Sequence, residues 1–169
     1  MWCRSKRAWA WAVLASTIAG ATLRAEVGVG DRFPSLQDAG LSEGVLPEVE
    51  GRVLLVDFWA SWCAPCKASF PAFARLHEEF GVRGLAIVAV SVDEKRAAYA
   101  AFVKKLAPPF ATVRDAGHSL ASAVGVPAMP TTYLVDRAGR VRFVHRGFHG
   151  SASERELRAQ IEALLAERG

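Results

Sequence analysis

The sequence predicts an α/β sandwich, a mixed central β-sheet flanked by helices. Two observations point to the sheet. The run 53–56 is continuously apolar and 85–92 is apolar but for Ser91, as strands buried on both faces are, and each leads into a helical pattern. A third observation closes the fold: two further apolar strands meet at Asp136-Arg137-Ala138-Gly139, a hairpin turn, and an amphipathic helix follows them.

Taken in order, residues 27–51 are rich in Gly and turn formers and predict a short N-terminal β-hairpin leading into the domain. Residues 53–59 are the first core strand. Residues 64–80 are helical, with Phe70, Phe73, Leu76 and Phe80 at helix spacing and Pro71 expected to kink the helix. A second buried strand covers 85–92, a helix begins at Asp93-Glu94 and runs to Leu106, and Pro108-Pro109 stop it. A short strand at 110–113 and a short helix at 119–124, ended by Gly125, come next. Strands at 131–135 and 141–148 flank the hairpin turn. Ser151 with Glu154 three residues on reads as a capping box opening the last helix, which turns Leu157, Ile161, Leu164 and Leu165 inward.

Residues 1–25 differ from the rest. Arg4, Lys6 and Arg7 precede an apolar or small stretch from Ala8 to Leu23, the pattern of an export signal. Leu23-Arg24-Ala25 precedes a candidate cleavage site, although Leu23 is bulkier than the small residue usual there. An uncleaved N-terminal membrane anchor is the alternative. Residues 26–169 then form one domain of ordinary size. The chain carries a formal charge of +4, but residues 1–25 hold four bases and no acid, so the remainder balances 17 bases against 17 acids. That balance argues against a nucleic-acid partner for the domain.

Of three cysteines, Cys3 lies in the export-like segment, which leaves Cys63 and Cys66. There is no second pair for a disulfide framework or a zinc ribbon. A strand that hands a Cys-x-x-Cys to the start of a helix suits thiol–disulfide exchange. At the helix N-terminus the unpaired N–H groups and the dipole favour a thiolate on Cys63. Cys66, one turn on, shares its face and can close a disulfide onto it. Pro65 fits the first turn, where its missing N–H costs little.

The residues Val56-Asp57-Phe58-Trp59-Ala60 leading into Trp62-Cys63-Ala64-Pro65-Cys66, then Phe70-Pro71, Gly125-Val126, Met129-Pro130-Thr131-Thr132 and Asp136-Arg137-Ala138-Gly139-Arg140, resemble the thioredoxin superfamily. Within it they resemble the exported thiol–disulfide oxidoreductases of the TlpA/ResA type. The resemblance covers residues 27–169, with 85–124 similar to the strand–helix insertion of that branch. It implies a thioredoxin-like fold in which Cys63 attacks, Cys66 resolves, Pro130 is a cis-proline beside the disulfide, and Asp57 is a buried acid that takes the Cys66 proton. Trp59 and Trp62 would shape an apolar rim, and Trp62, Ala64, Pro65, Met129 and Thr131 would meet substrate. Many ResA-like members carry a glutamate just after the second cysteine, where this chain has Ser69. The resemblance implies no cofactor or metal, a periplasmic location, exported cysteine-containing substrates such as apocytochrome c or copper-site assembly proteins, and a membrane thiol–disulfide electron donor.

Plainer readings stand beside these: two inert packing cysteines, an Asp57 that only caps an amide, and a trans Met129–Pro130 turn. Two other functions also compete. A Cu(I) chaperone could use both thiolates with a nearby histidine, but His77, His118, His145 and His149 are scattered along the chain. A peroxide-reducing enzyme needs a lone attacking cysteine among Pro, Thr and Arg, and neither cysteine has that setting.

Overall fold

The computed structural model describes residues 26–167. Its elements are β1 (Val53–Trp59), α1 (Ala64–Phe80), β2 (Leu85–Ser91), α2 (Arg96–Leu106), β3 (Ala111–Arg114), α3 (Ser119–Val124), β4 (Thr131–Val135), β5 (Val141–Arg146) and α4 (Ser151–Ala166), with a 3-10 turn at Gly81–Arg83. The strands form one mixed sheet in the order β3-β2-β1-β4-β5. β1, β2 and β3 run parallel, whereas β4 is antiparallel to β1 and β5 to β4.

All seven residues of β1 are buried because both faces of this central strand are covered. Alternation along it divides the core. Val53, Leu55 and Trp59 join α1, α2 and α4 through Phe73, Leu76, Phe102, Leu157 and Ile161. Leu54, Val56 and Phe58 face the other way, onto Phe33, Leu36, Leu120 and Val124. Burying each large side chain contributes roughly 1.5–3 kcal/mol, so the two cores are the main favourable term in the fold.

The expected N-terminal hairpin does not form. Residues 27–51 instead pair with both ends of the sheet, through isolated bridges Arg32↔Arg140 and Ser42↔Arg114. Their backbone groups find partners there: Gly30 N–H donates to Val141 (2.8 Å), Phe33 N–H to Gly139 (2.9 Å), and Ser42 exchanges bonds with Arg114 at 2.8 and 2.7 Å. Phe33 and Leu36, pressed into the second core, hold the segment against the sheet rather than against itself.

The predicted capping box is also absent. Gly150 is the N-cap of α4 and no side chain caps it. Ser151 is already helical, and Glu154 pairs with Arg75 (2.6 Å) and Arg158 (3.1 Å) instead. α1 runs unbroken through Pro71. α2 starts at Arg96 rather than Asp93, because the Asp93 side chain is committed elsewhere, as described below. β2 and β5 each end sooner than expected, and β3 sits one residue later. The Asp136–Gly139 turn forms as expected: Asp136 Oδ1 accepts from Ala138 N–H and Arg140 N–H, and Gly139 supplies φ +78°.

Candidate active site

β1 delivers the chain to the mouth of α1. Cys63 is the N-cap of that helix, its Sγ accepts from the Cys66 N–H at 3.2 Å, and the first turn carries no acid. The amide that caps the helix is therefore aimed at the sulfur, where it would stabilise a thiolate. Cys63 and Cys66 are joined in a disulfide with Cα atoms 5.3 Å apart. Cys66 is wholly buried, Cys63 keeps 5% exposure, and Trp62 beside it is 71% exposed. Ala64 and Pro65 are exposed as well, so the accessible surface of the motif runs along residues 62–65. An incoming sulfur can reach Cys63 and not Cys66.

Asp57 shares the strand face of Val53, Leu55 and Trp59, the face covered by α1. Its carboxyl therefore lies in the same layer into which Cys66 is buried. It is 0% exposed, Oδ1 accepts from the Thr132 hydroxyl at 2.7 Å, and Oδ2 has no partner. Burial pushes its pKa up to about 8, and the Thr132 hydrogen bond opposes this only in part. The plain capping reading fails, because no backbone amide is within its reach.

The Met129–Pro130 bond is cis. Pro130 is buried, and its carbonyl accepts from Gly147 N–H at 2.8 Å. Thr131 is buried too, with its hydroxyl donating to Ala128 at 2.7 Å. Met129 packs against the core that holds both cysteines. Among the described residues its own backbone makes no hydrogen bond.

Trp59 is not on the rim. It is 0% exposed and packs against Phe102, Phe70 and Tyr99 at ring separations of 4.2, 5.2 and 6.0 Å. Strand alternation turns it into the core, whereas Trp62, past the strand end, is free to lie outside. Ser69 is buried, and its hydroxyl donates to the Cys66 carbonyl at 2.9 Å. Asp57 is thus the acid of this layer.

The sequence did not disclose Asp93. Its carboxylate, 4% exposed, accepts from Ser61 N–H at 3.0 and 3.2 Å, from the Ser61 hydroxyl at 2.8 Å and from the Ser91 hydroxyl at 2.9 Å. Ser61 stands two residues before Cys63, so Asp93 ties the approach to the disulfide onto the end of β2. Ser61 and Asp93 are adjacent only because β1 and β2 pair in parallel, which no local pattern announces. The histidines stay apart: His118 Nε2 lies 2.9 Å from the Val92 carbonyl and His145 Nε2 2.7 Å from Gln160 Oε1. Among the described residues no three His, Cys, Asp or Glu side chains gather as a metal set.

Comparison with known proteins adds the family. The model described as AhpC/TSA family matches residues 29–144. The thiol-disulfide oxidoreductase ResA of Bacillus subtilis is 34% identical over 106 residues, 63% of this chain and 59% of that protein. The chain thus spans somewhat under two thirds of that relative's length. ResA of Geobacillus thermodenitrificans is 28% identical over 145 residues, 85% of this chain and 82% of that protein. A crystal structure from Chlorobium tepidum, given the provisional description thiol:disulfide interchange protein DsbE, superposes with a TM-score of 0.73 at 30% identity, covering 83% of this chain and 100% of that one.

Proposed function

This chain belongs to the AhpC/TSA family, with a thioredoxin-like fold, and from that premise we propose that it is a thiol–disulfide oxidoreductase working through Cys63 and Cys66. The observation that carries this reading is the paired sulfurs at the mouth of α1, one keeping a sliver of exposure beside exposed Trp62 and accepting from an amide, the other wholly buried. In the reducing direction the Cys63 thiolate attacks one sulfur of a target disulfide, forms a mixed disulfide and releases the first target thiolate. Cys66 then gives up its proton and attacks Cys63 Sγ, which forms the bond seen here and releases the second target thiol. Two electrons pass to the target.

Asp57 is suited to take the Cys66 proton, since its unpartnered Oδ2 lies in the same buried layer. Met129 leaves its backbone open for an extended target to pair with, and Trp62, Ala64 and Pro65 border that approach, whereas Thr131 is wholly buried with its hydroxyl held by Ala128 and does not. We place the site outside the cytoplasm, in the periplasm or tethered to the membrane. Residues 1–25 support this through their basic start and apolar stretch. The substrates in this reading are exported proteins with cysteines, of the kind matured in cytochrome c or copper-site assembly, and a membrane thiol–disulfide partner returns the electrons.

Trapping tests the assignment. Cys66→Ala should accumulate a covalent adduct with a disulfide-bearing target on a non-reducing gel, because the mixed disulfide cannot resolve. Cys63→Ala should accumulate none. Adducts on Cys63→Ala alone would reverse the two roles.

A further inference from the structure

Beside the disulfide, a pocket of about 410 Å³ opens between the first turn of α1 and one face of α2. Ala98, Ala101, Phe102 and Lys105 fall at i, i+3, i+4 and i+7, so they share that face. The two alanines leave the opening. Phe102 forms a floor held in place by Trp59, with ring centroids 4.2 Å apart. Lys67, the residue after Cys66, stands on one side and Lys105 on the other, while Ser61 borders the pocket from the loop that Asp93 clamps.

The charges around this pocket are segregated. Lysine occurs in the described residues at positions 67, 95, 104 and 105, all on the start of α1 or on α2 and its N-cap. Among the described residues no lysine enters an ion pair. Every carboxylate pair there is made by an arginine or by His145. Arg96, on the same helix, is held by Glu43 at 2.8 Å. Glu94 and the buried Asp93 are the acids that adjoin Lys95 in the chain. A domain with balanced overall charge thus presents two unpaired ammonium groups, those of Lys67 and Lys105, around an apolar floor, and the pocket is bordered by Ser61 and Lys67, which flank the Cys63–Cys66 motif in the chain.

We propose that this pocket selects substrates: it receives an acidic segment, with an apolar side chain next to its Asp or Glu, from the polypeptide whose disulfide Cys63 attacks. The inference rests on the exchange reading above and deepens it. The apolar side chain enters over Phe102 between Ala98 and Ala101, and the carboxylate lies between Lys67 and Lys105. Exposed ion pairs are individually weak, so two lysines favour an acidic over a basic segment by about two- to thirtyfold.

The test uses the reduced full-length chain and peptides that share one internal disulfide loop. The loop is flanked by Glu-Leu, Gln-Leu, Lys-Leu or Glu-Gly, and second-order reduction rates are compared. We expect the Glu-Leu peptide to exceed the Lys-Leu peptide by about two- to thirtyfold at low ionic strength. The ratio should collapse in high salt, where exposed charges are screened. Lys105→Glu should bring the ratio to one or below. Ala101→Phe, which fills the opening without changing charge, should bring the Glu-Leu rate down to that of Glu-Gly. Equal Glu-Leu and Lys-Leu rates with brisk exchange would overturn the pocket and leave the oxidoreductase standing. Reduction of no peptide by the wild type would overturn both. A thermal melt of each variant separates lost selectivity from lost fold.

Discussion

Asp57 holds its proton because the Thr132 hydroxyl alone compensates for the loss of water around it. With its pKa near 8, against an ordinary value of 3.8, the folded chain keeps this proton across a range where the unfolded chain gives it up. Stability therefore falls as pH rises from about 4 to about 8, at up to about 1.4 kcal/mol per pH unit. Asp57→Asn removes this penalty. The variant should match the wild type near pH 4 and exceed it increasingly towards pH 8 in urea unfolding, with a constant difference counting against a buried titrating acid. Its exchange rate should move the other way. The wild type gains carboxylate, and so a proton acceptor for Cys66, as pH climbs through about 8. Asp57→Asn should lose that rising limb and turn over about 10²-fold more slowly at its top, while the first attack by Cys63 stays near the wild-type rate. Asp93 acts through position rather than proton transfer. Asp93→Ala leaves the Ser61 amide and hydroxyl without their acceptor, and should cost about 2–4 kcal/mol. Asp93→Asn, which still accepts from the amide, should cost less in the same denaturation series.

At the scale of elements, the helix and strand patterns in the sequence match where packing enforces them. α1 and β1 have the expected bounds because their apolar positions face two well-filled cores. Departures occur where a side chain is drawn to a distant partner. Asp93 leaves the start of α2 to hold Ser61, and Glu154 leaves the N-cap of α4 for Arg75 and Arg158. Residues 27–51 carry the composition of a hairpin, yet the sheet edges offer better partners than the segment offers itself. Gly44 shows how close that docking is. Its φ is +88°, and a Cβ there would lie 2.0 Å from the Thr112 carbonyl oxygen. Gly44→Ala should therefore destabilise the fold by about 2 kcal/mol or more, through loss of the Ser42–Arg114 bridge. Hydrogen exchange should show the Ser42 amide losing protection before the β1 amides. Equal loss at both would mean the segment is not a separate docking unit.

At the scale of the whole molecule, the described residues 26–167 form a thioredoxin-like domain, and the export-like pattern of residues 1–25 lies outside them. A reporter active only in the cytoplasm, fused after Gly169, should be silent if the domain is exported; a bright fusion would place the dithiol in the cytoplasm instead. Sequence alone determined the strand-to-helix presentation of Cys63 and Cys66, the α/β layering, the closing hairpin and the neutral charge of the domain, because each is written in neighbouring residues or in short periodicities. It also marked Asp57 and Pro130, through the company they keep in the chain. The tertiary structure decided what depends on residues far apart: that Asp57 is fully desolvated, that Trp59 turns inward while Trp62 stays out, that Asp93 anchors the loop before Cys63, and that Lys67 and Lys105 line one pocket, neither in an ion pair among the described residues. Sheet pairing sets these positions, and it joins residues tens of positions apart that leave no local signal of their meeting.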